Sequence, residues 1–361
     1  MVSRFGSGIS EPDTLIITFC ETIASRLPHM ANGRGMEDGE MAELSSFERK
    51  ALLRLLPEDR LGAVHTIQAI RGGLSGARVY TVITSRGEFV LRIQSERADD
   101  ALWTQQLLIL RRAVERGVAP PIVHVDEAAR TIISARIAGV SLAAALGDPT
   151  QRLAVLTNVV EQLRLLHGLD TSGVSERDSI AYARDAARAQ GVRPGFPSWA
   201  DGLDATIAAI AAALAKDSRR VVSHNDLNPG NLIWDGVRAW IVDWDVAGLS
   251  HPHYDLATLA MFLNLGDEMT RGLIALHDRT PPDATSLATF AMLRRLSALL
   301  CGVTFLSLVP DLRVAPMKAP TLSSCYADMR SGALDLQTAG GRAAFGLALL
   351  HLGTVQPPPG A

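Results

Sequence analysis

The segment VVSHNDLNPGNLIWDGVRAWIVDWDVAG, residues 221–248, carries three side chains whose types and spacing suit one reaction. His224, Asp226 and Asn231 form the pattern H-x-D-x-x-x-x-N, and Asp243 follows twelve residues after Asn231 at the end of an apolar run. Moving a phosphoryl group to a hydroxyl needs a carboxylate that orients the attacking hydroxyl and accepts its proton. It also needs oxygen ligands that hold Mg²⁺ against the phosphates, because that cation neutralises the charge growing in the transition state. Asp226 suits the first task; Asn231 and Asp243 suit the second. A short hairpin between the two ligands would aim both into one cleft. The plainer reading is that Asp226, Asn228 and Asn231 merely cap turns. An aspartate closing an apolar strand just downstream weighs against it.

A second feature is the loop Gly72-Gly73-Leu74-Ser75-Gly76 between two strand-like runs. Glycines allow close approach of backbone to phosphate, and a small hydroxyl such as Ser75 can donate to a phosphate oxygen. Alone this is an ordinary turn. It gains weight from Arg92, a cation set among Val90, Leu91 and Ile93, since a planar guanidinium pairs well with phosphate.

The elements that must position these groups can be read from periodicity. Ser45 and Glu48 form a capping box opening a helix that ends before Pro57. Residues 66–94 alternate in steps of two with glycine punctuation, giving three strands. Residues 100–116 return to helical spacing and stop at Gly117, and 121–126 and 130–137 read as two more strands. An N-terminal lobe of five antiparallel strands and one helix thus covers roughly 60–136. Beyond Gly139 the chain is mostly helical: 150–168, two helices within 176–218 split by the breaker run 192–198, three between His251 and Val309, and one over 333–352. Two short strands, 220–223 and 238–242, flank the chemical loop. The expected units are 1–41, a flexible or mis-started extension before Met36 or Met41; 42–138, the nucleotide lobe; 139–355, the helical lobe; and a tail, 356–361.

The chain has 361 residues, enough for two lobes, with 47% apolar and 20% charged residues and a net charge of −3. A globally basic nucleic-acid binder is excluded. The longest charge-free apolar stretch near the C-terminus, 296–309, is short for a bilayer span, so no membrane role is expected. Cys20, Cys301 and Cys325 lie far apart and read as ordinary thiols of a cytoplasmic protein.

In the order of these features the sequence resembles the aminoglycoside phosphotransferase and choline/ethanolamine kinase superfamily. The resemblance runs from about Gly72 to Leu300 and is most specific in HNDLNPGN and IVDWDVAGLSHPHYDLAT. It implies an α+β, bilobal protein-kinase-like fold, with a small N-lobe antiparallel sheet and one main helix, plus a larger, mostly helical C-lobe. It implies an ATP- and Mg²⁺-dependent phosphotransferase acting on a small-molecule hydroxyl. By the resemblance, Asp226 is the catalytic carboxylate and Asn231 and Asp243 are the metal ligands. Gly73, Ser75, Gly76 and Arg92 would meet the ATP phosphates, and backbone at Ser134, Ala135 and Ile137 would meet adenine. His224 and Asp255 would be structural supports.

Two departures stand out. The phosphate-pairing cation is Arg92 where lysine is common, and Gln106 occupies the helix position where the family has a glutamate that orients that cation. Glu96 and Asp100 are other acids nearby. For the acceptor, the asparagine in His224-Asn225-Asp226 looks more like choline kinases than aminoglycoside enzymes. Asp245 would lie near an ammonium group, and a quaternary amine would want rings, drawn from Trp199, Trp244, Tyr254, Phe262, Phe305 and Tyr326. A small amine-bearing alcohol, choline- or ethanolamine-like, is the expected acceptor. An aminoglycoside and a catalytically weak ATP-binding pseudokinase are the alternatives.

Overall fold

A computed structural model describes residues 45–70, 77–94, 99–200, 202–316 and 318–355. The extension 1–41, the loop Gly72–Gly76 with Gly73, Ser75 and Gly76, Glu96 and the tail 356–361 lie outside the described residues.

The chain opens with α1 (Ser46–Leu53), whose first turn is closed by the reciprocal Ser45–Glu48 box. A short α2 (Glu58–Leu61) leads into β1 (Val64–Ile70), β2 (Arg78–Thr84) and β3 (Gly87–Ile93). Next comes α3 (Asp100–Glu115), capped by the Asp99 side chain, then β4 (Ile122–Asp126) and β5 (Thr131–Ala135). The five strands form one antiparallel sheet in the order β1-β2-β3-β5-β4. Alternation along β3 buries Leu91 and Ile93 in the small-lobe core and turns Arg92, between them, to the opposite face. Gly117 follows α3 at φ 69, a backbone state glycine adopts freely, and a Cβ there would lie 2.9 Å from Arg238.

The connector β6 (Val140–Ser141) starts the large lobe, and Ser141 caps α4 (Leu142–Gly147). Helices α5 (Arg152–His167), α6 (Ser179–Gly191) and α7 (Leu203–Leu214) follow. The strands β7 (Val221–Ser223), β8 (Leu232–Trp234), β9 (Ala239–Ile241) and β10 (Gly248–Ser250) come next. The remainder is α8 (Tyr254–Phe262), α9 (Asp267–Asp278), α10 (Ala284–Ser307), α11 (Leu322–Ser331) and α12 (Ala339–Thr354). Strands β8 and β9 form the hairpin between Asn231 and Asp243, and β7 pairs with β10. The short β6 and β10, and helices α2, α4 and α11, were not among the expected elements. Two- and three-residue strands give no period to read.

Helix α10 is long and apolar enough to cross a membrane by length and composition, exceeding the charge-free run seen in the sequence. Most of it is buried against neighbouring helices, and glycines make the closest approach possible: a Cβ on Gly302 would meet the Gly346 carbonyl of α12 at 2.9 Å.

Candidate active site

The segment that carries Asp226 starts where β7 ends. Asn225 has φ 66, a left-handed backbone that asparagine tolerates better than most residues. Its own amide is tied down: Nδ2 donates to the Val246 carbonyl at 3.1 Å, and its backbone N–H donates to Asp255 Oδ1 at 2.8 Å. The His224 N–H donates to the other oxygen of Asp255 at 2.9 Å, and His167 Nε2 lies 3.1 Å from that same oxygen. Asp255 is fully buried at the start of α8. Burial alone would raise its carboxyl, but His167, His224 and the backbone donors outweigh that and hold it below the usual range.

Asp226 follows this anchored backbone. Asn228 Nδ2 donates to one carboxylate oxygen at 3.1 Å and Asn231 Nδ2 to the other, also at 3.1 Å. Burial raises the Asp226 carboxyl above its ordinary value and the Asp243 charge adds to that. Neighbouring His224 and the two amides pull the other way without cancelling it. The carboxylate is therefore fixed in direction and more basic than a free one.

The hairpin brings the second pair together. The Val242 N–H donates to the Asn231 carbonyl at 3.0 Å, extending the β8–β9 pairing to the residue beside Asp243. His224 Nε2 lies 3.0 Å from the Val242 carbonyl, joining the two segments again. Asp243 itself has φ 66, and its Oδ1 is buried. Because Asn231 spends its side-chain Nδ2–H on Asp226, its side-chain Oδ1 is the atom available to a cation. Two carbonyl or carboxylate oxygens suit a hard ion such as Mg²⁺.

Arg92 crosses from the small lobe to this point. Its Nη2 lies 3.1 Å from Asp243 Oδ1 and forms an ion pair with Asp245. The orienting partners are thus carboxylates of the large lobe, where the resemblance had suggested α3. Gln106 instead accepts from Gln94 at 3.2 Å and donates to the Asp245 backbone carbonyl. Asp100 pairs with Arg130. Of the adenine-facing candidates, the Ala135 N–H already donates to Pro121 at 2.9 Å, and Ser134 lies within the β3–β5 ladder opposite Val90. Ile137, just past β5, is half-buried.

A cavity of about 720 Å³ opens beside Asp226. Asp243, Asp245 and Tyr254 line it, as do Phe262, Phe305, Tyr326 and Phe345. Trp244, offered as a substrate residue, is not on that wall. It is buried, its indole N–H donates to the Ile241 carbonyl at 3.1 Å, and its ring meets His224 edge-on at 5.0 Å. Trp199 packs near His351, away from the cavity. Phe345, which lay in an unremarkable apolar helix, had no sequence signal as a pocket ring. Nor did Gln105, whose side chain donates to Ala247 at 3.2 Å and accepts from Ser175 at 2.7 Å.

Two lobes with a hydrogen-bonded aspartate, an oxygen-donor hairpin and an arginine meeting at the cleft define a kinase-like phosphotransferase architecture. The chain belongs to the phosphotransferase enzyme family, whose model matches residues 66–288. Its fold is similar to that of a choline/ethanolamine kinase family protein from Mesorhizobium loti, with TM-score 0.59 and 20% identity over 86% of this chain and 99% of that one. Choline kinase LicA from Streptococcus pneumoniae gives TM-score 0.60 and 15% identity over 84% and 99%, and has also been solved with AMP. An aminoglycoside-3'-phosphotransferase of type VIII gives TM-score 0.51 and 20% identity over 70% and 100%. These likenesses establish the bilobal protein-kinase-like fold that the motifs led us to expect. A search of curated protein sequences finds no significant match.

Proposed function

We propose that this chain moves the γ-phosphoryl group of ATP to a hydroxyl of a small amine-bearing molecule of choline or ethanolamine type. The observation that carries this is Asp226, a basic, doubly hydrogen-bonded carboxylate at the mouth of a ring-lined cavity. The acceptor hydroxyl approaches Asp226 and gives it a proton. The hydroxyl oxygen then bonds to the γ-phosphorus as the bond to the β-phosphate oxygen breaks and ADP departs. Bound through Asn231 and Asp243, Mg²⁺ supplies charge neutralisation at the transferring phosphate. Asp243 Oδ1, a buried oxygen facing the Arg92 guanidinium at 3.1 Å, supports that ligand set. Arg92 faces the same point and suits the phosphates of ATP; of the segment proposed for adenine, Ile137 lies just past the strand pairing that engages Ser134 and Ala135.

The cavity supports an acceptor with one amine over an aminoglycoside. Its carboxylates are confined to Asp226, Asp243 and Asp245 beside Arg92, whereas six rings are among the rest of the lining: Tyr182, Tyr254, Phe262, Phe305, Tyr326 and Phe345. A lone ammonium can lie against ring faces; a polycation would lack partners. An intact Asp226–Asn231–Asp243 set speaks against a pseudokinase. ATP dependence and scattered thiols fit a cytoplasmic enzyme.

ADP release from the purified chain with choline, ethanolamine and kanamycin tests this. Turnover is expected with choline or ethanolamine, and Asp226→Asn should cut it by about 10²–10⁴ with nucleotide affinity retained. Turnover with kanamycin alone would favour the antibiotic-modifying reading. ATP binding without turnover on any acceptor would favour the pseudokinase.

A further inference from the structure

Beneath the loop that carries Asp226 a line of buried and partly buried side chains runs from Asp255 through His167 and His277 to Asp278. His167 Nε2 lies 3.1 Å from Asp255 Oδ2, His167 Nδ1 lies 2.9 Å from His277 Nε2, and His277 Nδ1 lies 2.6 Å from Asp278 Oδ1. Each contact needs one hydrogen between its two atoms. A neutral imidazole carries a single N–H. Two neutral rings therefore supply two hydrogens to three contacts, and every choice of tautomers leaves one pair of lone pairs facing each other at hydrogen-bonding distance.

His253 offers no relief. Its Nε2 lies 2.8 Å from Asp278 Oδ2 and uses its own hydrogen there, which fits the buried, unpartnered lone pair on its Nδ1. A protonated carboxyl would balance the count, yet both acids resist it. Burial raises Asp278, but hydrogen bonds from His253 and His277 prevail and hold it well below the usual range, and Asp255 is likewise held low.

We infer that His167 and His277 share a third hydrogen as one imidazolium, clasped between the carboxylates of Asp255 and Asp278, and act as positioning residues for the catalytic loop. The pair bears +1 and its flanking acids −2, so the assembly is attractive along its length. Taken singly, His277 is pushed below its ordinary value by burial; the two flanking carboxylates favour a proton on the pair. His253 faces the pair from beside α8. Arg164 and Arg219 lie within electrostatic reach of Asp278, with Arg279 and Glu161 beside Arg164. The imidazolium fixes Asp255, which holds the backbone N–H groups of His224 and Asn225, immediately before Asp226.

A metal ion is the other cation that this cluster suggests, since His253, His277 and Asp278 bring three ligand atoms within 4.8 Å of one another. Tetrahedral zinc, however, would spread neighbouring ligand atoms to roughly 3.3 Å. The contacts of 2.6 and 2.8 Å are hydrogen-bond lengths.

Asp278→Asn separates these readings. Its amide N–H can supply the missing hydrogen to His277 Nδ1 while its carbonyl accepts from His253, so neither ring of the pair needs an extra charge. Nitrogen NMR of the imidazole rings in the full chain, at about pH 8 and above the ordinary histidine value, should show one imidazolium in the wild type and none in the variant. A proton held more tightly when folded stabilises below the unfolded value and is lost as pH rises through the folded one. Thermal stability of the wild type should therefore fall on the alkaline side of neutrality, and that of Asp278→Asn should not. Only neutral rings in the wild type would overturn the inference, and that spectrum needs no variant to fold. A stoichiometric metal bound in the purified chain, or an imidazolium persisting in Asp278→Asn, would overturn it too. The link to catalysis rests on the role proposed for Asp226; the proton count does not, and NMR reads it even if no acceptor is turned over.

Discussion

The two walls of the cleft are held by different means. On the large-lobe side, one buried carboxylate, Asp255, fixes two consecutive backbone N–H groups, and the catalytic loop hangs from it. On the small-lobe side, a partly buried arginine and two glutamine amides reach across to the segment between Asp243 and Ala247. A buried acid with several donors has a single arrangement, because any other leaves unpaired polar groups away from water. A partly exposed ion pair can be exchanged at little cost. Under the proposed function, the difference suits a platform at Asp226 that stays in place beneath a wall that changes partners, with Arg92 trading two aspartates for phosphate oxygens.

Removing the anchor should have the largest effect. Asp255→Ala strips two backbone donors and His167 of their acceptor in a fully buried place. A loss of about 3–5 kcal/mol in stability is expected from breaking a buried charged network on one side, read from denaturant midpoints. A loss below about 1 kcal/mol would mean that the catalytic loop is not suspended from this residue, and the contrast between the walls would collapse.

Arg92→Ala attacks the other wall. Stability should change little, since the pair with Asp243 and Asp245 is partly exposed. Affinity for ATP should fall by about 10–100-fold, the worth of a hydrogen bond to a charged group, about 1.5–3 kcal/mol, measured by calorimetric titration with Mg-ATP. Unchanged affinity accompanied by a large loss of stability would reverse the assignment, making Arg92 the structural element and not the adaptable one.

How far these walls could be foreseen depends on range. Strands β1–β3 and the long helices were legible because their apolar residues repeat over seven or more positions, and the approach of Asn231 to Asp243 was legible because one short hairpin joins them. Trp244 was misjudged for a reason of direction: its neighbours Asp243 and Asp245 both face the cavity, but the left-handed turn at Asp243 sends the indole into the core against His224. Phe345 reaches the pocket from α12, more than a hundred residues beyond the catalytic loop, and nothing local marks it. The partners of Arg92 were hidden for the same reason, since counting along α3 finds a position in a helix but not which lobe answers a cation.

Gln106 gives the smallest and most discriminating change. Read as the replacement of an orienting glutamate, Gln106→Glu would restore an ion pair and tighten nucleotide binding. The geometry argues for the opposite sign. The amide nitrogen of Gln106 donates to the Asp245 carbonyl while its oxygen accepts from Gln94, so both ends of the amide are in use. A carboxylate can accept from Gln94 but has no hydrogen for the carbonyl, and it would add a third negative charge beside Asp243 and Asp245. The carbonyl would be left unpaired and the hairpin pushed away from α3, at a cost of about 1 kcal/mol, or roughly fivefold weaker binding of Mg-ATP. Titration of the variant with Mg-ATP reads this directly. Tighter binding would mean that Arg92 turns toward α3 once phosphates arrive, and the small-lobe wall would then be rebuilt by the nucleotide.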